Sequence, residues 1–245
     1  MMIKETYYQA IDQLFLNIRN TQTNAIEAAA VKVADQIAAG HNVYLFDTGH
    51  IIDSEIYNRA GGLVLMRRFT FDIQVSDNSR ENPVKDEHHN AAMTGYTNYI
   101  LQLSHLKEGD ILFIGSVSGK TVNVIDLAIE AKKRGIFVIA LTSLDYSSKL
   151  QSMHSSKLRL FEAADMVIDN CAPYGDAMLE VEGLDSPFLP ASGIAAAYIM
   201  WALNAQIVEN LLNKGIQPSV LRSVNVEENR AYNIELQKRY NEKGY

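Results

Sequence analysis

The chain has 245 residues, 47% of them hydrophobic and 21% charged, with a formal net charge of −7. That length can bury a substantial core, and the acidic balance excludes the basic footprint of a nucleic-acid binder. Cys171 is the only cysteine, which excludes an intramolecular disulfide framework and suits a reducing compartment. No apolar run reaches the roughly 18 residues that span a membrane. Lys4 and Glu5 ahead of a mixed helix do not read as a signal peptide, so a cytoplasmic location is expected.

In chain order, Tyr7, Ile11, Leu14 and Ile18 share one helical face. The polar stretch 20–24 is expected to interrupt that helix before a second one over about 25–39, with Asn24 and Glu27 at capping-box spacing. Residues 43–46 read as a buried strand running into Asp47-Thr48-Gly49-His50, followed by a helix over 53–60. Gly61-Gly62 breaks the chain before the apolar run 63–66, and residues 69–90 form a charged connection longer than ordinary loops.

Ile111–Gly115 is a buried strand, 116–121 a hydroxyl-rich loop, and 136–142 a second buried strand. Between them Val122, Ile125, Ala128 and Ile129 give a helix one apolar face, with Ser118 as its expected N-cap. Lys132, Lys133 and Arg134 suit its last turn and Gly135 its stop. Met166–Asp169 is a further strand, 173–176 a turn, 191–212 a long helix, and 227–240 a terminal helix beyond Pro218. Strands alternating with helices define a doubly wound α/β fold. The expected organisation is a helical extension over 1–40 packed on a domain over 41–220, with a helical tail over 221–245.

A strand that runs into Ser-x-Ser-Gly-x-Thr and then a helix places hydroxyls and free N–H groups at a helix N-terminus, an anion site best suited to phosphate. Capping needs one hydroxyl, whereas Ser116, Ser118 and Thr121 supply three. The rival is a nucleotide loop, since 115–121 spells Gly-x-x-x-Gly-Lys-Thr. The Walker pattern needs four residues between its glycines and here there are three, so nucleotide hydrolysis is a distant alternative and Lys120 reads as solvated.

The run Ile-Gly-Ser-Val-Ser-Gly-Lys-Thr, its helix, and Gly-Ile-Phe-Val-Ile-Ala-Leu-Thr-Ser resemble the signature of the sugar isomerase (SIS) domain, closest to a phosphoheptose isomerase-like subgroup. The resemblance implies a three-layer, Rossmann-like sheet of about five parallel strands, a phosphorylated sugar as ligand, and a homodimer or higher oligomer. It places Ser116, Ser118 and Thr121 on the phosphate, with Val117, Gly119 and Thr142 completing the binding loop. It also transfers Thr48, Gly49 and His50 as lining the site, although Ile51 stands where the family usually has a serine. The implied chemistry is aldose–ketose isomerisation.

Such a reaction needs a base near the substrate carbon and an acid near the carbonyl oxygen. Glu55, His50 and His88 are the acid–base candidates, and Arg59 is a candidate for a sugar or phosphate oxygen. Glu55 and Arg59 are four apart and can equally pair with each other. The adjacent His88 and His89 diverge in direction, so no metal is expected there, and no cofactor is implied. The family's glutamate position falls near Gly61, and the late helix has no histidine. That absence keeps two alternatives open: a phosphosugar sensor without turnover, and a phosphosugar lyase or etherase.

Overall fold

The computed structural model describes residues 2–48, 52–72 and 94–245. Five parallel strands form the central sheet: β1 (Val43–Asp47), β2 (Met66–Arg68), β3 (Ile111–Gly115), β4 (Phe137–Thr142) and β5 (Met166–Asp169), in the order β2-β1-β3-β4-β5. The register sets Val43 beside both Met66 and Ile111, and Ile111 beside Phe137. Strands buried on both faces need near-continuous apolar sequence, and all five residues of β3 are buried.

The two-residue side-chain period divides these runs between two cores. Leu45, Ile111, Phe113, Ile139 and Leu141 face one layer, containing α1 (Ile3–Ala38), α7 (Ser192–Asn213) and α8 (Glu228–Lys243). Phe46, Leu112, Ile114, Val138 and Ala140 face the other, containing α3 (Thr97–Leu103), α4 (Val122–Lys133) and α6 (Leu160–Ala163). The result is a three-layer, doubly wound α/β fold. The chain leaves β1 outward to β2 and returns across it to β3, so the strand order reverses between β1 and β3. In open α/β sheets ligands bind at the carboxyl ends of the strands beside that reversal.

Several elements depart from the pattern read from sequence. The expected interruption at 20–24 is absent, and α1 runs unbroken for 36 residues. Its polar stretch is mostly exposed but is tied down at two points: half-buried Gln22 accepts the Asp169 N–H on Oε1 at 3.0 Å, and the Thr21 hydroxyl donates back to the Asn17 carbonyl at 2.8 Å. α2 (Asp53–Ile56) is shorter than expected, the chain turning at Asn58 with φ +55°. The apolar run 63–66 is buried but mostly precedes β2, because 61–64 pair with 219–221 instead: Gly61 N–H donates to Leu221 O at 2.8 Å and Val64 N–H to Ser219 O at 3.0 Å. Also unanticipated are α3, α6, the one-turn α5 (Leu144–Ser147) and the antiparallel pair β6 (Ala177–Leu179) and β7 (Phe188–Pro190). Among the described residues no helix is long and apolar enough to cross a membrane.

Candidate functional site

At the carboxyl end of β3 the Ser116 N–H still bonds the Leu141 carbonyl, at 3.0 Å, and the chain then leaves the sheet. The Ser116 hydroxyl, almost fully buried, accepts the Gly119 N–H at 3.3 Å and closes the loop on itself. Gly119 adopts φ +54°, a conformation that L side chains rarely take. A Cβ there would lie 2.9 Å from Ser147 Oγ and 3.1 Å from Leu160 Cβ, so both backbone and space require glycine. The expected cap is corrected: the residue preceding α4 is Thr121, with extended backbone, because the loop turns through Gly119 before the helix starts. The Thr121 hydroxyl donates to Asn123 Oδ1 at 2.7 Å and makes no cap bond.

Three of the loop's carbonyls are drawn inward. Val117 O accepts the Thr142 hydroxyl at 3.0 Å and the Ser143 N–H at 3.1 Å. Gly119 O accepts the Leu160 N–H at 2.8 Å, and Lys120 O the Met153 N–H at 2.9 Å. In a planar trans peptide C=O and N–H point in opposite directions. Fixing these three carbonyls therefore aims the N–H groups of Ser118, Lys120 and Thr121 the other way, and none of the three has an acceptor among the described residues. Behind them lies the positive end of α4, a 12-residue helix with Lys132 and Lys133 at its far end. Oriented N–H donors, nearby hydroxyls and a helix dipole together suit an oxyanion.

Ser116, Val117, Ser118, Gly119, Thr121 and Thr142 thus converge on one loop. Thr142 is fully buried and gives its hydroxyl proton to Val117 O, so it shapes the loop from beneath. Thr48 lies alongside, its N–H bonding the Gly115 carbonyl at 3.3 Å, while the Asp47 carboxylate accepts the Ile52 N–H at 2.5 Å. Gly49, His50 and His88 lie outside the described residues. Glu55 forms an ion pair with Arg59 at 3.2 Å and accepts the Trp201 Nε1–H at 3.4 Å, so these two candidates engage each other and α7. Burial pushes the Cys171 thiol up, which makes it a poor nucleophile. Among the described residues no His, Cys, Asp and Glu group could hold a metal ion.

Sequence reasoning missed the donors that shape the loop, namely Ser143, Met153 and Leu160, because backbone N–H groups leave no trace in residue type. It also missed the buried pair Asp126–His154, whose one visible signal was an aspartate inside the apolar run of α4. A cavity of about 550 Å³ is lined by Tyr44, by residues 67–72 and by residues of α3 and the segment after it, none of which belongs to this loop.

A parallel sheet reversing beside a hydroxyl loop at a helix N-terminus defines an SIS-type α/β protein. A model of the SIS domain matches residues 6–143, and the chain belongs to this family. Along its whole length it is similar to the UPF0309 proteins: one from Oceanobacillus iheyensis is 34% identical over 243 residues, covering 98% of this chain and 97% of that protein. Another, from Shouchella clausii, is 34% identical over 242 residues, with 98% and 97% covered. Among solved structures, a Bacteroides fragilis protein whose name assigns it to phosphosugar isomerases of capsule formation shares the fold. It aligns with a TM-score of 0.50 at 16% identity, over 87% of this chain and 90% of that one.

Proposed function

We propose that the protein binds a phosphorylated sugar and catalyses its aldose–ketose isomerisation by proton transfer beside the carbonyl. The observation that carries the binding is the peptide orientation of the loop: three carbonyls tied inward and the N–H groups of Ser118, Lys120 and Thr121 left without acceptors among the described residues. A phosphate takes those donors together with the hydroxyls of Ser116 and Ser118 and that of Thr121, which turns to it from Asn123, while Thr48 and Gly49 line the sugar. In this reading Glu55, His50 and His88 share the acid–base work and Arg59 meets an oxygen of the substrate. A homodimer is part of the proposal, with sedimentation velocity as its check.

The ion pair and Trp201 bond that already occupy Glu55 favour a second reading, a phosphosugar sensor without turnover. A thermal-shift series with hexose, heptose and amino-sugar phosphates, each beside its unphosphorylated sugar, tests the binding, since a ligand of the folded state raises its stability. The phosphorylated compounds alone should raise the melting temperature. In the double variant Ser116→Ala/Ser118→Ala affinity should fall roughly a hundredfold, as expected for two hydrogen bonds to a charged group. Unchanged affinity would sink the site. Product analysis with the best ligand then separates the chemistries: an isomer of equal mass supports isomerisation, a released fragment indicates elimination, and no turnover selects the sensor.

A further inference from the structure

Asp126 lies in the first half of α4 at 1% exposure, flanked by the buried Ile125, Leu127 and Ala128. A carboxylate so deeply placed is costly unless its oxygens are paired. It has four partners: the Gly95 N–H at 2.6 Å, the Thr97 N–H at 3.0 Å, the Thr97 hydroxyl at 2.6 Å, and His154 Nε2 at 3.3 Å. Burial alone would raise the carboxyl's pKa. The Thr97 hydroxyl, the Thr97 and Gly95 N–H groups and His154 outweigh it and hold the group below its ordinary range.

His154 is 3% exposed, and its tautomer follows from its neighbours. The backbone N–H of Ser156 points at Nδ1 at 3.1 Å, which makes Nδ1 an acceptor. The ring proton therefore sits on Nε2 and is donated to Asp126. His154 belongs to the strap 151–160, and this strap supplies two of the N–H groups that shape the loop, Met153 to Lys120 O and Leu160 to Gly119 O.

We propose that His154 is a positioning residue for the phosphate loop. By anchoring the strap to Asp126, it keeps Met153 and Leu160 where they turn the Lys120 and Gly119 carbonyls away from the ligand. If the strap loosens, those two peptides are free to rotate. A carbonyl oxygen would then face the anion where an N–H had been, replacing attraction by repulsion. The same carboxylate holds the Thr97 N–H at the start of α3, so one buried charge joins α4, α3 and the strap behind the site. His154 touches no ligand in this arrangement. The proposal rests on the phosphosugar reading of the loop.

The test compares His154→Leu, which removes the donor to Asp126, with His154→Gln, whose amide can replace it. Affinity for orthophosphate and for glucose 6-phosphate is measured by calorimetry, and the ligand-free amide shifts of Lys120 and Thr121 by NMR. His154→Leu should weaken binding about tenfold and move both amide signals, while His154→Gln stays within about twofold of the parent. Should the leucine variant fail to fold, Met153→Pro removes a single N–H at a residue 38% exposed and should weaken binding by a similar factor. Parent-like affinity together with parent-like amide signals in the leucine or proline variant would overturn the proposal. If the parent protein binds neither probe, the thermal-shift series decides the phosphosugar reading, and the ligand-free amide shifts alone decide the positioning role.

Discussion

Two neighbouring turns at the carboxyl end of the sheet use the same residue chemistry to opposite ends. After β4, Ser143 is fully buried: its hydroxyl donates to the Ala172 carbonyl at 2.6 Å and accepts the Tyr146 N–H at 3.0 Å, capping the one-turn α5. Every polar atom of that side chain is consumed within the protein. After β3, Thr121 precedes a helix three times as long and leaves it without a side-chain cap, and the peptides before it present N–H groups with no acceptor among the described residues. A hydroxyl at a strand-to-helix turn therefore says little by itself. On the proposed reading of the β3 loop, what separates it from a structural cap is where the neighbouring carbonyls go.

The strongest way to break the contrast is Gly119→Val. It imposes a β-branched side chain at φ +54° with its Cβ 2.9 Å from Ser147 Oγ, and should cost about 2–4 kcal/mol of stability and abolish phosphosugar binding. Denaturant unfolding and calorimetry together check both. The contrast sharpens with paired serine variants. Ser118→Ala should weaken phosphosugar binding about tenfold with an unchanged melting temperature, whereas Ser143→Ala should lower stability by about 1–2 kcal/mol through the lost cap and leave binding within about twofold. Equal effects of the two on binding would erase the distinction.

A smaller effect concerns acid. The Arg159 side chain beside Glu162 lowers its carboxyl from the ordinary 4.5 to about 2. A depressed folded-state pKa contributes stability above the unfolded value that is lost as pH falls through the folded one. Between about pH 4.5 and 2 the parent should therefore lose more stability than Glu162→Gln, which lacks this contribution, as followed by thermal unfolding across that window. The smallest effect is expected at Lys120, whose side chain makes no hydrogen bond or ion pair among the described residues, so Lys120→Ala should change phosphate affinity by less than about threefold.

The central unit was legible in the sequence because both neighbouring strands are buried on two faces, so 111–115 and 136–142 had to be unbroken apolar runs closed by glycine and charge. The expected bounds differ from β4 by one residue. The helix start was less legible: Ser118 reads as a good cap, but the left-handed turn at Gly119 delays α4 to Val122. Continuity of α1 through 20–24 was hidden because Gln22 there satisfies a backbone N–H of β5, a partner nearly 150 positions away. The apolar run 63–66 gave no sign that it lies mostly ahead of β2, because 61–64 pair with the distant residues 219–221. At the site, the hydroxyls were visible and their orientation was not. The groups that fix the peptides are N–H donors and a histidine brought in from 142–160, and no local spacing encodes them.

The length of α1 also constrains how the protein is made. At 36 residues it is about 54 Å long, and much of its apolar face is buried against α7, with Phe15 stacked on Tyr198 at 4.3 Å. An isolated amphipathic helix is marginal in water until its apolar face finds a partner. On the ribosome, α1 emerges well before residues 192–213, so that face is covered only after the intervening segment has been made, and until then the nascent chain exposes an apolar stripe that invites chaperones.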